Sequence, residues 1–176
     1  MRFYDPAPAS GWRRPLAAGL ALLDAAAAWA ICVQVAFMVA AVSAQVLLRY
    51  AFNSSIGWAD EISRLMFVWS IFLAIPLGIK LGVHIGIEML TVRLPSGARD
   101  TLARAVALAG CAMMGLVSYQ AAIVSWDQWD EQLASMDASA ALFILALAVG
   151  CAHSALHLAW IVLIGARRPA VVVATE

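Results

Sequence analysis

The chain has 176 residues, of which 64% are hydrophobic and 12% charged, with a formal net charge of zero. Ordinary soluble domains are about half apolar and a quarter charged, so this composition excludes a water-soluble globular fold. The balanced charge gives no footprint for nucleic acid.

The elements follow from four runs that contain no Asp, Glu, Lys or Arg: Ala25 to Leu48, Leu65 to Ile79, Ala105 to Trp126, and Ala138 to Ala166. A hydrocarbon core about 30 Å thick needs about 20 helical residues. Strands are excluded because an open sheet cannot satisfy its backbone in lipid, and the runs lack the alternation of a barrel. The expectation is an all-α membrane protein, a single domain over 1–176, with helices at about 16–50, 58–80, 102–125 and 138–165. The first is too long for an upright span and is expected to tilt or project. The apolar stretch from Leu16 to Leu48 also far exceeds a signal-peptide core. In the second, Asp60, Glu61 and Arg64 fall in the opening turns, at headgroup level.

Nine of the eleven basic residues fall before helix one, between helices two and three, or after helix four; Arg49 and Arg64 fall on the other side. By the positive-inside bias both termini are expected in the cytoplasm. Residues 81–101 then form a cytoplasmic connection with room for an interfacial helix, in which His84 and Glu88 are i, i+4 partners ahead of Arg93.

The densest information lies around the first turn. Arg49, Tyr50, Phe52 and Asn53 close helix one, and Trp58, Asp60, Glu61 and Arg64 open helix two. Opposite charges meet across a short connection, so pairing would offset partial desolvation. The reading is a fixed corner or a partner-docking point, against headgroup snorkelling. Between helices three and four, Trp126, Asp127, Trp129, Asp130 and Glu131 form an acidic, aromatic rim, read either as a docking surface or as a solvated loop.

The ordered pattern Arg49-Tyr50-x-Phe52-Asn53, Trp58-x-x-Glu61, Phe67-x-Trp69, Phe72-Leu73, His84-Ile85-x-Ile87-Glu88-x-Leu90 and Arg93-Leu94-Pro95 resembles the DctQ-type small membrane subunit of the tripartite ATP-independent periplasmic (TRAP) transporters. Ala74 and Gly86 depart from the residues common in that family. The resemblance implies a non-enzymatic scaffold in a bacterial inner membrane, bound to a large permease subunit. It further implies organic-acid import on a cation gradient, a periplasmic substrate-binding protein as a second partner, and no cofactor.

Cys32, Cys111 and Cys151 read as small buried hydrophobes. Asp24 is expected to snorkel or to pair with Arg13 or Arg14. His153 and His157 share a face of helix four, but zinc needs more ligands than this pair supplies, so interhelical hydrogen bonding is expected and no metal or substrate site is assigned. Two rivals stay open: a redox membrane anchor of the cytochrome b or quinone type, and a self-sufficient small channel.

Overall fold

The computed structural model describes residues 13–54, 56–80 and 96–164. Within them are four helices: α1 (Arg13–Phe52), α2 (Ala59–Lys80), α3 (Ser96–Asp127) and α4 (Ala141–Ile164). All four are long and apolar enough to cross a membrane. α3 begins at Ser96 rather than near Leu102, because charged residues mark the edge of the bilayer without stopping a helix. α4 begins at Ala141 rather than Ala138, because the preceding residues close the α3–α4 loop through a bridge between Gln132 and Ser139. At 40 residues α1 is about 60 Å long, twice the hydrocarbon thickness.

The packed pairs are α1 with α2, α2 with α4, and α4 with α3, which places the helices side by side in the order α1, α2, α4, α3. Along α1 ten of the thirteen buried and half-buried positions from Ala17 to Leu48 alternate at spacings of three and four, the 3.5-residue period of a coiled-coil seam. Three polar residues, Asp24, Gln34 and Gln45, lie in that stripe. Two of them set the antiparallel register with α2: the Ser70 hydroxyl lies 3.1 Å from Gln34 Oε1, and Lys80 Nζ lies 2.8 Å from Asp24 Oδ2, ten residues further along both helices.

α3 and α4 pair by the same logic. Cys111 Sγ, Ser118 Oγ and Ser125 Oγ donate to the carbonyls of Ala155, Ala148 and Ala141 at 3.5, 2.8 and 3.3 Å. Each rung advances seven residues on α3 and retreats seven on α4. Small residues let the backbones approach, and the donors satisfy groups that lipid cannot.

α2 and α4 run parallel and come into close contact at Gly150. A Cβ at this position would lie 2.5 Å from the Phe72 carbonyl oxygen and 2.8 Å from Phe72 Cβ. One turn along lies Pro76, fully buried inside α2. It has no N–H to bond the carbonyl four residues earlier, that of Phe72. The released oxygen faces the bare Gly150 Cα, a contact of the weak C–H···O kind. Ser154, also fully buried, turns its hydroxyl to the Gly150 carbonyl at 2.8 Å.

Candidate functional site

One turn beyond Gly150, toward the ends of α2 and α4, the interior becomes charged. Asp24 from α1 is 5% exposed and lies among three partners. Its Oδ2 receives Lys80 Nζ at 2.8 Å; its Oδ1 lies 3.1 Å from His153 Nε2 and 2.7 Å from His157 Nε2. A carboxylate oxygen only accepts, so the hydrogen on each imidazole belongs on Nε2. Helical spacing of four residues stacks the two rings on one face, with centroids 5.0 Å apart. Lys80, the last residue of α2, reaches in from the helix end.

An isolated carboxylate at this depth would be costly; four groups from three helices satisfy one another. The expected pairing of Asp24 with Arg13 or Arg14 is therefore replaced: its partners are Lys80, His153 and His157, although the side chain of Arg13 lies outside the described residues. The histidines do make interhelical hydrogen bonds, to α1. Convergence of both Nε2 atoms on one side of a single helix is not the geometry of two axial ligands flanking a haem from opposite faces.

The helix corner is built differently from a simple ion pair. Asn53 caps α1 in the left-handed conformation (φ 49°), which Asn tolerates, and the Ser54 amide donates back to the Leu48 carbonyl at 3.2 Å. Arg49 and Asp60 line one polar cleft of about 360 Å³ with Gln45, Asn53, Ser54, Ile56 and Gly57. Among the described residues, neither Asp60 nor Glu61 comes within ion-pair distance of Arg49. Glu61 instead accepts the Ser135 amide at 3.1 Å, pinning the α3–α4 loop to the start of α2. Tyr50, Phe52, Trp58 and Arg64 are exposed.

At the end of α3 and in the loop that follows it, Trp126, Asp127, Trp129, Asp130 and Glu131 are all exposed. The loop is folded: Leu133 N donates to Ala138 O at 2.9 Å and Ala140 N to Glu131 O at 2.8 Å. The expected connection residues His84, Glu88 and Arg93 lie outside the described residues. Between α1 and α2 runs an apolar groove of about 420 Å³, lined by Met38, Val39, Val42, Ser43, Ser63, Arg64 and Phe67. The Ser63 hydroxyl there is buried and has no partner among the described residues.

Four helices long and apolar enough to cross a membrane, with charge among the described residues held to helix ends, the α3–α4 loop and one interior cluster, define a helical integral membrane protein. Residues 38–168 match the family described as "Tripartite ATP-independent periplasmic transporters, DctQ component", and the chain belongs to that family. It is a transporter-component family, not one of enzymes. Over 86 residues the chain is 35% identical to the C4-dicarboxylate TRAP transporter small permease protein DctQ of Vibrio cholerae, covering 49% of this chain and 35% of that protein. Over 66 residues it is 38% identical to a putative TRAP transporter small permease protein of Haemophilus influenzae, covering 37% of this chain and 41% of that protein. The matched stretches thus span well under half of each of these relatives.

Proposed function

We propose that this chain is the scaffold subunit of a TRAP-type importer of organic acids driven by a cation gradient, holding a large permease subunit in a bacterial inner membrane. Family membership carries the class, and the V. cholerae relative's C4-dicarboxylate name supports the substrate class. The observation that carries the scaffold role is α1. Its most apolar stretch has no buried residue, while Trp29, Val33, Phe37, Val39 and Leu47 face outward along a helix too long for one span. Such a face has two occupants, lipid and the permease partner. The exposed rim from Trp126 to Glu131, held by Glu61, is the second surface, suited to a soluble binding protein on the outer side.

Co-expression with the large permease subunit tests this. The tagged chain is expected to co-purify with it, and uptake into proteoliposomes is expected to need both subunits, the binding protein and an imposed cation gradient. Solute flux through this chain alone would overturn the scaffold reading in favour of a channel, and a Soret band in the purified chain would favour a redox anchor. Charge reversal at Arg49 or Glu61 is expected to lower uptake or assembly. Wild-type behaviour in both variants would remove the corner from the interface.

A further inference from the structure

We propose that Asp24, His153 and His157 form a divalent-metal site of the zinc class, in which the ion and the Lys80 ammonium are alternative counter-charges for Asp24. Three ligand atoms, one carboxylate oxygen and two imidazole nitrogens, lie within 4.8 Å of one another and all three residues are buried. Histidines at i and i+4 on a rigid helix form half of a site in advance. The third ligand comes from α1 and shares no sequence neighbourhood with them. A donor set of two imidazoles and a carboxylate suits Zn²⁺ or Co²⁺, whereas Mg²⁺ and Ca²⁺ prefer oxygen throughout.

The geometry is close to what coordination needs. Bonds of about 2.0–2.1 Å in a tetrahedral shell set neighbouring ligand atoms about 3.3 Å apart. The two Nε2 to Oδ1 distances are 3.1 and 2.7 Å. Side-chain rotation that opens these by a few tenths of an ångström and draws the two nitrogens together completes three corners, leaving the fourth to water. On coordination the proton of each neutral imidazole moves from Nε2 to Nδ1, so Nε2 offers its lone pair and no proton is lost. Asp24 would bind through Oδ1, while Oδ2, which holds Lys80 in the metal-free chain, is released as the ammonium withdraws.

Charge explains why Lys80 regulates the site. With neutral imidazoles, Asp24 and Lys80 cancel; a divalent ion adds two positive charges to a buried cluster. Lys80 ends α2 and its flexible stem lets the ammonium move toward the interface as the ion enters. Metal would then staple α1 to α4, which are not a principal packing pair.

The test uses the full chain, purified in detergent without a polyhistidine tag, and titrated with Co²⁺ and then Zn²⁺. One equivalent of Co²⁺ is expected to give the intense visible bands of a four-coordinate site, with Zn²⁺ displacing it and raising the thermal unfolding midpoint. In His153→Gln/His157→Gln, checked for native helicity and elution volume, affinity is expected to fall more than tenfold. In Lys80→Met it is expected to rise about tenfold. Equal metal binding by native and double-variant chains, or none by the native chain, would overturn the site. Unchanged affinity in Lys80→Met would overturn the counter-charge exchange.

Discussion

At the scale of single residues, the buried cluster makes unequal demands on its members. Asp24→Ala removes the acceptor of three donors at once, the 2.8 Å ion pair with Lys80 among them, so a loss of about 3–5 kcal/mol is expected. His153→Gln removes one donor while His157 and Lys80 still hold the carboxylate, and a loss of about 1–3 kcal/mol is expected. Denaturant unfolding in detergent, read by far-UV circular dichroism, separates the two; an Asp24→Ala chain as stable as His153→Gln would show that Asp24 is not the hub. Gly150 is constrained sterically rather than electrostatically. Gly150→Ala pushes a methyl group against the Phe72 backbone and is expected to cost about 1–3 kcal/mol in the same assay. Ser63 is the contrasting case: its buried hydroxyl has no partner among the described residues, so Ser63→Ala is expected to be neutral or slightly stabilising.

At the scale of elements, hydrogen-bonded rungs set the registers. Measured interhelical bonds in membranes average about 0.6 kcal/mol, so Ser118→Ala is expected to cost about that amount, and Ser118→Leu more, because bulk at this position separates α3 from α4. Outside the bundle, Glu61→Ala is expected to release the 128–140 loop, read as faster hydrogen exchange at Ser135 with little change within the helices. Much of this was legible in the sequence. The charge-free runs located four helices because water-avoiding composition is their defining property, and the seven-residue spacing of Cys111, Ser118 and Ser125 was there to be read as a seam. So was the near 10.5-residue spacing of Asp24, Gln34 and Gln45, three turns of a 3.5-residue period, although the partners expected for Asp24, Arg13 and Arg14, lie on its own helix. The partners are far away: Lys80 and the histidines are 56, 129 and 133 residues distant, and only the packing of α1 against α2, and of α2 against α4, brings them together. Glu61 is similar, since its bond to Ser135 depends on a loop closure that no local pattern announces.

At the scale of the whole molecule, the registers define two ends. The α1–α2 corner and the α3–α4 loop share one end, joined through Glu61 and Ser135. The opposite end carries Lys80, the start of α3 and the His153/His157 turns of α4. Nine of eleven basic residues belong by sequence to the second end, so the positive-inside bias predicts a cytoplasmic location for that end. A labelling experiment follows. With Cys32, Cys111 and Cys151 replaced by Ala, single cysteines at the exposed positions Ser54 and Ser135 are expected to react with a membrane-impermeant maleimide in intact spheroplasts. A cysteine at the exposed Ala98 is expected to react only after the membrane is opened. Reversed labelling would invert the assignment and move the acidic rim to the cytoplasm, away from any periplasmic partner. Labelling of Ser54 and Ser135 from opposite sides would contradict the fold itself, because an even number of crossings lies between them.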